Sequence, residues 1–89
     1  MELSNTTTLD EVRTLLGVTL GIEARAATFD SSTELIGSLP EFDSMAVVAL
    51  VTEIERHFGF EFDDDDITGD LFETLGTLST FVDARRPDA

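Results

Sequence analysis

One serine in this chain stands where a hydroxyl could be put to chemical use. In Leu39-Pro40-Glu41-Phe42-Asp43-Ser44-Met45 it follows an aspartate and opens the most regular apolar pattern of the sequence. Asp43 is a good helix N-cap, and Val47, Leu50, Val51, Ile54 and Phe58 then recur at steps of three and four. This places Ser44 in the first turn, where amide N–H groups without helical partners and the positive end of the helix dipole favour an anionic phosphate. The hydroxyl is thus a physically sensible site for a phosphodiester. The plain alternative is that the Asp-Ser pair only caps a helix.

Other chemistry-bearing groups offer less. The run Asp63-Asp64-Asp65-Asp66 with Gly69 can be aligned on a calcium loop, with Asp64 and Asp66 at its first and third positions, but the twelfth position is then Leu75, where a bidentate glutamate is needed. Loose attraction of cations is the better reading of that run. His57 is the single histidine, has no metal-ligand spacing around it, and reads as a solvent-facing helix residue. A hydrolase built on Ser44 lacks the Gly-x-Ser-x-Gly elbow.

The elements that must position Ser44 read as helical. A first helix is predicted to start at Thr8, capped by it and closed by Glu11 as a capping box, with Leu9, Val12, Leu15, Leu16 and Leu20 on one face and Gly21 as its stop. Residues 22–42 lose this period and read as a long connection anchored by Phe29, Leu35, Ile36 and Leu39. The helix opened by Asp43 ends at Gly59, and a short helix or turn is predicted near Ile67, with Phe72 packing inward. Thr74 then caps a last helix through Leu75, Leu78, Phe81 and Val82, with Arg85 and Arg86 near its negative end and Pro87 as its limit. The expected fold is all-α, a small bundle of three main helices plus one short helix with a long first loop. It forms a single domain over residues 1–89 with a core of about 8–86.

Bulk properties narrow the function. The 89 residues suit one small domain with little room for a deep active site. Nineteen acidic against five basic residues give a net charge of -14, so nucleic acid and anionic membranes are repelled and partners with a basic patch are favoured. With no cysteine, any thiol chemistry has to come from a prosthetic group. No apolar run reaches the roughly 20 residues of a membrane span, and the Met-Glu-Leu-Ser-Asn-Thr start has no basic n-region, so the expected location is the cytoplasm.

From Leu9 to Val82 the sequence resembles the acyl carrier protein family. Asp43-Ser44-Met45 stands in the place of the family's Asp-Ser-Leu; Val47-Val48-Ala49-Leu50-Val51 and Ile54-Glu55-Arg56-His57-Phe58-Gly59 follow, and Phe72-Glu73-Thr74-Leu75-Gly76-Thr77-Leu78 resembles the family's entry to its last helix. The wording from Gly37 to Val48 looks closest to carriers found with exosortase and exopolysaccharide gene clusters. The resemblance implies that Ser44 receives 4′-phosphopantetheine from coenzyme A by a magnesium-dependent phosphopantetheinyl transferase. It implies further that the arm carries acyl or aminoacyl groups as thioesters, and that the chain is not itself an enzyme. By the same carry-over Asp43 serves transferase recognition as well as capping, and Met45, Val48 and Glu55 face partners.

Family members serving fatty-acid synthesis carry acidic residues early in this helix, where this chain has Ala46 and Ala49. The implied partner is a dedicated ligase or acyltransferase with a basic or apolar docking patch, acting on a monomeric carrier. The competing class is an acidic interaction adaptor without a prosthetic group. It accounts for the charge but not for the pattern around Ser44.

Overall fold

The computed structural model describes residues 4–87, and the side chains of residues 8–87. Four α-helices carry the fold, α1 (Ser4–Leu20), α2 (Glu23–Ala26), α3 (Ser44–Phe58) and α4 (Leu75–Arg85), with a 3₁₀ turn at Asp64–Asp66 between the last two. α1 packs against each of the other three helices. The fold is all-helical as expected; among the described residues the strand-like element is one antiparallel bridge, Glu34 with Thr74.

α1 begins earlier than the sequence predicts, at Ser4, and this removes Thr8 from the cap. Thr8 is fully buried inside the helix. Its hydroxyl donates to Asp83 Oδ1 at 2.7 Å and accepts from Arg86 Nη1 at 2.9 Å. Glu11 does not close a capping box on Thr8: its carboxylate lies 2.9 Å from His57 Nε2 and 3.6 Å from Arg86 Nη1. The Thr-x-x-Glu spacing is a local signal, and here neighbouring helices supply stronger partners for both side chains. His57 is half-exposed and set edge-on to Phe58. Val12 and Leu16 of α1 are wholly inside, with Leu9, Leu15 and Leu20 half-buried around them.

The long connection is anchored, though by a partly different set of residues. α2, absent from the sequence-based expectation, occupies its first turn and buries Ala26. Leu35, Leu39 and Phe42 enter the core and Phe29 packs at its edge, whereas Ile36 is 46% exposed. The reason is local geometry. Around Glu34 the chain runs extended beside residues 72–76, with Leu35 N–H on Glu73 O, Ile36 N–H on Phe72 O and Leu75 N–H on Thr33 O at 2.9–3.1 Å. Successive side chains of an extended segment point to opposite sides, so burial of Leu35 turns Ile36 outward.

α3 buries Ala46, Leu50, Val51, Ile54 and Phe58. Ala46 therefore belongs to the core and not to an outer apolar face, and Val47, expected inside, sits half-buried at the edge of the stripe. Full burial of a side chain such as Leu50 or Ile54 is worth about 1.5–3 kcal/mol, so this stripe is what fixes the rotation of the helix. Gly59 closes it in the left-handed region, φ 82°, with its N–H on Glu55 O.

Beyond α3, Phe62 and Phe72 are core residues, and Phe62 stacks on Phe81 at 5.3 Å. Ile67 is 40% exposed. In the acidic run Asp66 accepts from the Asp63 N–H at 3.0 Å and from Arg85 Nη1 at 3.0 Å, so that carboxylate is used to fold the turn onto α4. Thr74 caps α4 as expected, accepting from Thr77 N–H, and Leu75, Leu78 and Val82 fill the core.

Candidate functional site

Ser44 is the first residue of α3 and its side chain is exposed. The backbone before it is pinned: Phe42 is buried with its ring 5.7 Å from that of Phe72, and the Phe42 N–H bonds Leu39 O at 3.0 Å. Asp43 adopts an extended conformation, φ -97° and ψ -174°, and its Oδ1 accepts from the Ala46 N–H at 2.9 Å while its carbonyl accepts from Val47 N–H at 3.0 Å. The carboxylate is thus turned into the first turn as a cap, as the sequence predicts. A fixed backbone therefore presents a serine hydroxyl to solvent at the positive end of a 15-residue helix.

Met45 and Val48 are 78% and 66% exposed, and Ala49 is exposed beside them. Spacings of three and four residues put Ser44, Met45 and Val48 on one face of α3. Glu55 shares that side of the helix by register but lies near its far end, and its Oε2 accepts from the Phe62 N–H at 2.9 Å. The structure therefore brings Ser44, Met45 and Val48 together and uses one oxygen of Glu55 to hold the chain that leaves Gly59.

Two residues near the site escaped the sequence reading. Arg25 on α2 grips Glu41, three positions before Ser44, through both guanidinium nitrogens, at 2.6 and 3.3 Å. The hydrogen bond from Arg25 holds the Glu41 carboxyl below its ordinary range, and the same bond raises Arg25. Sixteen residues separate the partners, and no spacing rule links a one-turn helix to a loop across that distance.

The surroundings fit a phosphodiester on Ser44. The hydroxyl is open to solvent, the Asp43 carboxylate is occupied by Ala46 N–H, and the next acidic group upstream, Glu41, is neutralised by Arg25. Of the two carboxylates just upstream, Glu41 is paired with Arg25, while Asp43 keeps its charge with one oxygen on the Ala46 N–H.

Comparison with known proteins gives a consistent result. The family described as a phosphopantetheine attachment site matches residues 10–84. The solution NMR structure of a holo acyl carrier protein from Nitrosomonas europaea is similar to the chain, with 41% identity, 96% of each chain covered and a TM-score of 0.80. No match was found among curated proteins.

Proposed function

We propose that Ser44 is the attachment residue, because this chain belongs to the phosphopantetheine attachment-site family and Ser44 is the exposed hydroxyl that opens its best-capped helix. The protein is an acyl carrier protein, a non-catalytic carrier with covalent 4′-phosphopantetheine. Membership in that family overturns the reading as an acidic adaptor without a prosthetic group. The single observation that carries the residue assignment is the capped, solvent-facing position of Ser44 at the start of α3.

In the loading step Ser44 Oγ forms an O–P bond to the β-phosphate of coenzyme A. The P–O bond to the 3′,5′-ADP half breaks, and the hydroxyl proton passes to the transferase or to water. When bound, the arm supplies a terminal thiol that holds acyl or aminoacyl groups as thioesters, in a chain with no cysteine of its own. Asp43 holds the first turn in shape and offers the transferase a fixed carboxylate beside the hydroxyl. Met45 and Val48, exposed on the Ser44 face, are the contacts for partner enzymes, with Glu55 at the far end of the same side.

That face is apolar where it could have been acidic, which favours a dedicated ligase or acyltransferase with an apolar or basic patch over a fatty-acid enzyme. The segment from Gly37 to Val48 supports a carrier of the exosortase and exopolysaccharide type, which we read as a monomer working in the cytoplasm. Among the described residues no helix is long and apolar enough to cross a membrane.

The test is intact-mass analysis of the apo protein after incubation with coenzyme A, magnesium and a broad-specificity transferase. One phosphopantetheine unit should be added to the wild type and none to Ser44→Ala, with the circular dichroism of the variant unchanged. Modification that survives Ser44→Ala would overturn the assignment.

A further inference from the structure

The geometry points to Arg25 as a positioning residue for the loading of Ser44: through Glu41 it holds the segment that ends in Asp43-Ser44 against α2. The inference rests on Ser44 as the attachment residue.

The segment 39–43 is held from two sides. On the inner side Leu39 and Phe42 are buried, and Phe42 lies against Phe72. Glu41 stands between them in sequence, and its carboxylate reaches both Nη1 and Nη2 of Arg25. A forked Arg–carboxylate pair fixes orientation as well as distance, which a single contact does not. α2, which carries Arg25, is itself fastened to α1 through the Ile22 N–H on Gly17 O at 2.8 Å and the buried Ala26. The chain of support thus runs from α1 through α2 and Arg25 to Glu41, and from there along two peptide units to the cap. The Asp43 N–H on Glu41 O, at 3.1 Å, closes the last step.

Ser44 is exposed, so its place is set by the backbone on either side of it: α3, anchored from Ala46 onward, and this upstream segment. Without Arg25 the inner anchors remain and the fold survives, but the outer side of the segment is free to move. Movement of that side weakens productive encounter with the transferase, because the serine is held less often in the orientation it attacks from. It acts on formation of the complex, not on the bonds that break within it.

The experiment measures kcat and KM of a broad-specificity phosphopantetheinyl transferase for the apo wild type, Arg25→Gln, Glu41→Gln and the exchanged pair Arg25→Glu with Glu41→Arg. Amide hydrogen exchange at Phe42 and Ala46 is followed in each. Each single variant should raise KM about two- to five-fold with kcat within two-fold of wild type, in keeping with a well-oriented surface pair. Exchange at the two amides should quicken, and the exchanged pair should restore both readouts. Single variants equal to wild type would overturn the inference. So would an exchanged pair as impaired as the singles, which would mean that one of the two charges touches the transferase directly. Failure of the wild type to gain mass at Ser44 would instead overturn the attachment assignment on which this one stands.

Discussion

Ser79 is buried to 1% exposure on α4, and its hydroxyl oxygen finds no hydrogen-bond partner among the described residues. A polar group taken from water without a partner carries its full desolvation cost. Ser79→Ala removes that cost and places a better helix former in the middle of α4, so stability should rise by about 1 kcal/mol, seen as a melting temperature roughly 4–8 °C higher. A lower melting temperature would show that the hydroxyl is satisfied in solution. The contrast with Thr8 is instructive. Thr8 is equally buried, yet its hydroxyl both donates to Asp83 and accepts from Arg86, so a buried hydroxyl on α1 becomes a link to the end of α4. Ser44, the third hydroxyl of interest, is exposed and kept at the helix start by the neighbours that are fixed, Phe42 on one side and the Asp43 cap on the other.

At the level of elements, the entry to α4 is held by the connection that precedes the site. Gly76 N–H bonds Ser31 O at 2.9 Å and Leu75 N–H bonds Thr33 O at 2.9 Å, so the first turn of α4 borrows carbonyls from the loop. A Cβ on residue 76 would lie 2.6 Å from Ser31 O, a backbone atom that cannot simply swing aside. Gly76→Ala should therefore destabilise by about 1–3 kcal/mol in denaturant titrations, despite the higher helix propensity of alanine. A neutral or stabilising result would mean that the loop and α4 are not in contact there. The same pairing carries Leu35 and Phe72 into the core, and Phe72 in turn supports Phe42. The backbone that leads into Ser44 thus leans on a contact between residues 31–36 and the entry to α4.

For the molecule as a whole, charge is the largest standing cost. All five cations are arginines and each is engaged: Arg13 with Asp10, Arg25 with Glu41, Arg56 with Glu53, Arg85 with Asp66, and Arg86 with Glu11. The net charge of -14 is consequently carried by carboxylates in excess, and their mutual repulsion opposes compaction. Raising sodium chloride from about 10 mM, where the Debye length is near 30 Å, to about 1 M, where it is near 3 Å, should raise the melting temperature at neutral pH. A fall would show that the arginine pairs outweigh the repulsion.

The sequence alone determined α3, its cap and its end, because the signals involved act within one or two turns. The Asp43 cap bonds an amide three residues on, the apolar stripe repeats along one helix, and Gly59 needs only its own φ. The place of Ser44 at the start of that helix was legible for that reason, and so were the cap of α4 by Thr74 and the all-helical class. Tertiary structure decided what depends on partners distant along the chain. It extended α1 past Thr8 and gave that residue to Asp83 and Arg86, it turned Ile36 outward by pairing residues 33–36 with 72–75, and it chose Ala46 over Val47 for the core. It also joined Arg25 to Glu41 across sixteen residues. Spacing records interactions along one element, whereas the side of a residue that meets another element is settled only when the elements pack.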